Sequence, residues 1–268
     1  MSAAAKPASS SPPLLELSGV HTHIGAYHIL HGVDLAVPAG QLTMLLGRNG
    51  AGKTTTLRSI MGLWQASRGR ISFAGEAIGG PSGQAATPDI ARRDIAYVPE
   101  NMGIFAALTV SENMLLAARG ARRLADLDTA RLDWLFRLFP ALKKFWLYPA
   151  GKLSGGQKQM LAIARAMVEP RRLLLIDEPS KGLAPAMVQN MVEALQELKR
   201  GAGASSEPGQ AGTTILMVEQ NFMVARALGD GVAVMDDGRV VHSGAMRELA
   251  EDEALQQRLL GLSLGAHQ

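Results

Sequence analysis

The sequence predicts a three-layer α/β fold, opened by an antiparallel sheet and interrupted by an inserted helical subdomain. Two observations carry this. Short apolar runs at residues 41–46, 95–98, 172–176, 213–218 and 231–235 are separated by longer segments, as when sheet strands alternate with covering helices. Between residues 101 and 150 that alternation gives way to a helical pattern.

Taken in order, residues 1–13 are Ser-, Ala- and Pro-rich with a single Lys6 and no apolar stretch, so they read as a disordered tail and not as a signal peptide. Residues 14–20 and 32–37 read as short strands of the antiparallel sheet. The nearly continuous apolar run at 41–46 suits a strand buried on both faces. A helix over 54–62 is stopped by Gly62. After a strand at 70–73, residues 75–88 carry four glycines and two prolines and read as a surface loop. Strand 95–98 leads into a helical subdomain spanning about 101–168. Strands at 172–176, 213–218 and 231–235 complete the sheet, with a Gly-, Ala- and Ser-rich loop at 201–212. The expected organisation is a tail over 1–13 and one domain over 14–268.

Composition excludes several classes. With 268 residues, 47% hydrophobic and 19% charged, the chain reads as a soluble globular protein with one good-sized core. No run approaches the roughly 18 apolar residues of a membrane-spanning helix, so any membrane is reached through partners. Zero cysteines exclude disulfides and thiolate metal sites and fit a reducing cytoplasm. A net charge of +3, with Arg92-Arg93, Arg122-Arg123, Lys143-Lys144 and Arg171-Arg172 scattered along the chain, argues against a nucleic-acid surface.

Three motifs carry chemistry. Gly47-Arg48-Asn49-Gly50-Ala51-Gly52-Lys53-Thr54 satisfies G-x-x-x-x-G-K-[ST] at every fixed position. It lies between a buried strand and a helix, so loop amides and the helix dipole converge on phosphate oxygens. Gly50 and Gly52 let the backbone approach, Lys53 brings a point charge to the β- and γ-phosphates, and the Thr54 hydroxyl is a Mg²⁺ ligand. The second motif is an apolar run that ends in Asp177-Glu178. Neighbouring strand residues point to opposite faces, so the two acids have different tasks. In phosphoryl transfer one holds Mg²⁺ and the other orients the attacking water. The third is Leu153-Ser154-Gly155-Gly156-Gln157, with Ser154 at a helix N-cap position and two glycines leaving amides uncovered. Met160, Leu161, Ile163, Ala164 and Met167 form the expected buried face of that helix.

With this signature about twenty residues ahead of the acidic strand, residues 14–244 resemble ATP-binding-cassette (ABC) ATPases. That resemblance implies a P-loop NTPase cassette: a RecA-like core, an antiparallel β subdomain and an α-helical insertion. It implies that ATP and Mg²⁺ are the cofactors, that Asp177 binds the metal, that Glu178 is the general base and that Thr55 bonds the α-phosphate. It further implies that Ser154, Gly155, Gly156 and Gln157 complete a nucleotide site on a second subunit. Four positions depart from the commonest family residues. The adenine-stacking aromatic falls at Ile24, with Tyr27 able to replace it if the loop bends. The metal-sensing glutamine is Glu100, the switch histidine is Gln220, and the aspartate six residues after Glu178 is Ala184.

Val98-Pro99-Glu100, Leu108-Thr109-Val110-Ser111-Glu112-Asn113, Lys181-Gly182-Leu183-Ala184-Pro185 and Val218-Glu219-Gln220-Asn221 resemble the second ATPase subunit of branched-chain amino-acid importers. A urea-importing branch is similar. The resemblance implies a sister ATPase or a second copy of this chain, two permease subunits, an external solute-binding protein, and a peripheral position on the cytoplasmic face of a bacterial inner membrane. The alternative is a free-standing ABC ATPase acting on a macromolecule. Six of the twelve aromatic residues fall within 134–148; they read either as the core of the helical subdomain or, through Phe136, Phe139, Phe145 or Trp146, as a groove for a permease helix. Residues 101–105 are an alternative docking segment.

Overall fold

A computed structural model describes residues 12–81, 83–200 and 212–261 of the chain. Residues 1–11 of the expected tail and 201–211 of the expected loop lie outside them. The chain opens with β1 (Leu15–Ile24), β2 (Tyr27–Val37), β3 (Leu42–Gly47), α1 (Lys53–Ile60), β4 (Ala66–Phe73), β5 (Glu76–Gly79) and α2 (Thr87–Arg92). It continues through β6 (Ile95–Val98), α3 (Val110–Ala117), α4 (Thr129–Leu138), α5 (Pro140–Lys144), α6 (Gly155–Ala166), β7 (Leu173–Asp177) and α7 (Pro185–Lys199). The last part holds β8 (Thr214–Val218), α8 (Phe222–Leu228), β9 (Gly231–Asp236), β10 (Arg239–Ala245), α9 (Met246–Glu251) and α10 (Glu253–Leu260). Packing divides the chain into two units, one made of the residues up to Arg93 and from Thr214 onward, the other Asp94–Thr213.

The first unit contains an antiparallel sheet of order β2-β1-β4-β5. Its two opening strands are longer than the sequence reading gave. Pairing runs from Leu15↔Val37 to Ile24↔Tyr27, with bulges on the way, because Thr22 and Leu30 are fully buried on the inner face. The four histidines between them stack outside, His23 on His28 at 4.2 Å and His28 against His31 at 4.1 Å. A second correction concerns residues 75–88. They hold the edge strand β5, antiparallel to β4, and the start of α2. The glycines there still serve close approach: a Cβ at Gly80, whose φ is +119°, would meet the Gly69 carbonyl oxygen at 2.5 Å.

β3 lies at the centre of the unit's other strands, parallel to both β8 and β9, with β10 antiparallel on β9. Leu42, Met44 and Leu45 of β3 and Ile215, Leu216, Met217 and Val218 of β8 have no exposed surface. Each such side chain contributes roughly 1.5–3 kcal/mol of burial. α1 adds Leu57 and Ile60 to this core. The strand β10 was not read from the sequence; half-exposed residues alternate with exposed ones along it, as on a sheet margin.

In the second unit β6 pairs in parallel with β7, Ile95 opposite Leu173 and Val98 opposite Ile176. α6 contributes Met160, Leu161, Ile163 and Ala164 to the core, and its C-cap Met167 joins them, all buried as the helical periodicity requires. α3 begins with a capping box in which Thr109 and Glu112 satisfy each other's backbone amides. Buried Asn113 holds Phe105 through both its N–H and its carbonyl, each at 2.9 Å. Arg131 of α4 is buried, donates from Nε to the Met167 carbonyl at 2.7 Å and lies 4.6 Å over the Trp134 ring. Trp134 and Phe139 are core residues, so Phe139 does not line an exposed groove. Phe136 and Trp146 are half-buried and meet edge to face at 5.2 Å. Among the described residues no helix is long and apolar enough to cross a membrane.

Candidate functional site

In the first unit the chain leaves β3 at Gly47 and enters α1 at Lys53, so the loop 47–54 joins a buried strand to a helix start. Gly47 has φ +142°, and a Cβ there would fall 2.2 Å from the Met235 carbonyl oxygen. Gly52, the N-cap of α1, has φ +100° and makes no side-chain cap. It stands at the positive end of the helix dipole. Between them Gly50 is also left-handed, at φ +83°. Ala51 is tied down at both ends: its N–H donates to the Arg48 carbonyl at 3.2 Å, and its carbonyl accepts from Gly238 at 3.1 Å. Lys53 is buried, and its ammonium donates to the carbonyls of Gly47 at 2.8 Å and Arg48 at 2.9 Å. Thr54 and Thr55 are half-buried in the first turn.

Gln220 comes to this loop. It lines a cavity of about 230 Å³ together with Gly47, Arg48, Asn49 and Glu219. Glu219 was not singled out from the sequence. It is buried, and its Oε2 accepts the amides of both Gln220 and Asn221 at 3.0 Å, which fixes the turn that presents Gln220. The signal was an acid directly after the apolar run of β8. Ile24 and Tyr27 face each other across the turn at Gly25 and Ala26. The Tyr27 side chain is the more available, with the residue 76% exposed.

The second unit carries the acids. Asp177 is fully buried at the end of β7, and Oδ2 accepts from the Tyr97 hydroxyl at 3.3 Å. Glu178 follows with φ +47°. A non-glycine residue in the left-handed region is strained, and such strain collects at functional positions. Only 10% of the Glu178 side chain is exposed. Lys181 bonds Glu100 Oε1 at 2.6 Å and lies 3.5 Å from Glu178 Oε2. The hydrogen bond to Glu100, then the charges of Glu100 and Glu178, raise the Lys181 pKa above the ordinary lysine value.

Ser154 is the N-cap of α6. Its Oγ accepts from the Gln157 amide at 3.3 Å while Gln157 Oε1 accepts from the Ser154 amide at 3.0 Å. Gln157 thus works as the reciprocal cap, a local role the sequence reading did not assign. Ser154 and Gly155 are exposed, and a Cβ added to Gly155 would meet nothing within 4 Å. Gly156 is packed: its Cβ would sit 2.9 Å from Met187 Cε. Ala184 is the N-cap of α7 and makes no side-chain cap.

The donors suit a hard cation. In the second unit Asp177 and Glu100 offer carboxylate oxygens, whereas no group of three or more His, Asp or Glu among the described residues is arranged to hold an ion alone. Mg²⁺ in nucleotide sites is held in that way, by one or two protein oxygens plus phosphates and water.

A phosphate loop on a buried strand, a capped Ser-Gly-Gly-Gln helix start and an acidic strand end define an ATP-binding ATPase of the P-loop type. Residues 30–181 match the ABC transporter family. The chain belongs to that family as an ATP-hydrolysing subunit, a class that works with membrane permeases. It is similar to the high-affinity branched-chain amino acid transport ATP-binding protein BraG of Pseudomonas aeruginosa, with 38% identity over 92% of this chain and 100% of that protein. It is also similar to the probable branched-chain amino acid transport ATP-binding protein LivF of Archaeoglobus fulgidus, with 34% identity over 88% of this chain and 93% of that one. A solved ATP-binding subunit of an ABC transporter superposes with a TM-score of 0.73 at 30% identity, covering 92% of this chain and 96% of that chain.

Proposed function

We propose that this chain is one of two paired ATPase subunits of a branched-chain amino-acid importer, peripheral to the cytoplasmic face of a bacterial inner membrane. The single observation that carries the solute assignment is the end-to-end likeness to BraG. The partners are a sister ATPase, two permeases and, through them, an external solute-binding protein.

In this reading Lys53 turns from the carbonyls of Gly47 and Arg48 to the β- and γ-phosphates. The amides of residues 48–54 bond phosphate oxygens, and Thr55 reaches the α-phosphate. Thr54, Asp177 and Glu100 are the residues that would hold Mg²⁺, which when bound would supply positive charge to the phosphates. Adenine lies on the Ile24–Tyr27 turn, a role that the exposure of Tyr27 supports. Glu178 orients water and takes its proton, and Gln220 donates a hydrogen bond to the γ-phosphate. Ser154 and its neighbours close the nucleotide of the opposite subunit, which the exposure of Ser154 and the open space at Gly155 support.

Two measurements test this. Glu178→Gln should bind ATP as the natural chain does and lose turnover by about 100-fold or more; near-normal turnover removes Glu178 as base. ATP-driven uptake of labelled leucine into vesicles carrying the assembled complex should stop with the same substitution. Uptake of urea in place of leucine, or isolation of the chain without permeases, overturns the solute or the transport assignment respectively.

A further inference from the structure

Parallel pairing sets Val98 opposite Ile176. Two residues beyond each come Glu100 and Glu178, near enough that one ammonium reaches both. Two carboxylates in that relation repel. Lys181 stands between them, its ammonium 2.6 Å from Glu100 Oε1 and 3.5 Å from Glu178 Oε2. The turn that brings it there closes on the base itself, since the Lys181 N–H donates to the Glu178 carbonyl at 3.2 Å.

We propose that Lys181 is a positioning residue for ATP hydrolysis: it joins Glu100 and Glu178 in a carboxylate–ammonium–carboxylate bridge that holds the Glu178 side chain in place against the extra charge brought by Glu100. The inference rests on Glu178 being the base. It accounts for two features together. Two acids stand close to each other where the two strands end, and a cation from the loop after Glu178 meets both. Stabilisation of the fold is a poor explanation, because the Lys181 side chain is 61% exposed and exposed ion pairs contribute little. Glu178 differs: its side chain is 10% exposed and its backbone is held at φ +47°, so a small displacement of its carboxylate moves the group that aligns water.

The test is a double-mutant cycle on the assembled, purified ATPase complex, reading kcat, KM for ATP and thermal unfolding. Lys181→Met should lower kcat about tenfold, the scale of a modest misplacement of a catalytic group, with KM within about twofold and the unfolding temperature unchanged. Lys181→Arg should recover most of the loss. In a Glu100→Gln background the penalty of Lys181→Met should shrink at least about threefold, because the repelling carboxylate is gone. An equal penalty in both backgrounds, a loss seen only in KM, or full turnover in Lys181→Met each overturns the bridge. Glu178→Gln in the same preparation separates the two claims: normal turnover there removes the base assignment, whereas its loss beside full activity of Lys181→Met removes only the bridge.

Discussion

Ala184→Asp should stabilise the second unit, and the structure supplies the size of the gain. Ala184 already has the extended N-cap backbone, φ −66° and ψ +149°, and its carbonyl accepts from Met187 at 2.9 Å and Val188 at 3.1 Å. Only the side-chain acceptor is missing. Pro185 at N1 has no N–H to satisfy, which lightens the loss without replacing the cap. Because Ala184 is exposed, an aspartate enters without displacing core. A cap of this kind contributes about 1 kcal/mol, and a negative charge at the start of a helix adds roughly 0.3–1 kcal/mol. In urea, tryptophan fluorescence in a Trp64→Phe background, which leaves Trp134 and Trp146, follows this unit. The midpoint should rise by the equivalent of about 1–2 kcal/mol at pH 7 and the thermal midpoint by roughly 2–4 °C per kcal/mol. Ala184→Asn should keep the hydrogen bond and lose the charge contribution. The pH dependence has a fixed sign. A capping carboxylate has a folded pKa below its unfolded value of about 3.9, so the gain is present above that value and disappears as pH falls through the folded pKa. No stabilisation at pH 7, or one that persists unchanged in acid, refutes the capping argument.

Further outcomes follow from equally local features. Gly47→Ala places a methyl 2.2 Å from the Met235 carbonyl at φ +142°; the β3–β9 edge must shift, costing about 1–3 kcal/mol, and ATP affinity should fall with it, as isothermal calorimetry would read. Arg131→Met keeps the aliphatic stem and removes the donor to the Met167 carbonyl. It should destabilise by about 1–3 kcal/mol in denaturant, whereas an unchanged midpoint would show that the buried hydrogen bond and ring contact contribute nothing net.

The sequence was most legible where the chemistry is contiguous. The loop 47–54, the cap at Ser154 and the strand end at Asp177-Glu178 each declare their place in the fold within a few residues, because strand, turn and helix follow one another there. The β3, β7, β8 and β9 runs were legible for a related reason: strands buried on both faces are apolar almost throughout. Residues 21–31 were not, since four histidines hide a strand pair whose inner face is held by Thr22 and Leu30. β5 escaped because an edge strand of four residues between glycines looks like a turn until its partner is known. The same holds for Lys181 and Glu100. They are 81 positions apart, and only the register of β6 on β7 makes them neighbours. Glu219 was missed because its partners are backbone amides, which leave no trace in residue identity.

The attachment of Lys53 to its own loop carries a consequence for ligand choice. A ligand that recruits this ammonium must outcompete two carbonyl dipoles at 2.8 and 2.9 Å, inside a burial that weakens neither. A neutral nucleoside offers nothing in exchange, and a singly charged phosphate offers little more than the carbonyls. A polyphosphate brings several full charges to a loop whose shape is already set by Gly47 against β9, so almost no ordering entropy is lost on arrival. On the proposed nucleotide reading, the loop would act as a threshold for charge, and discrimination between triphosphate and nucleoside would begin before any contact with the base.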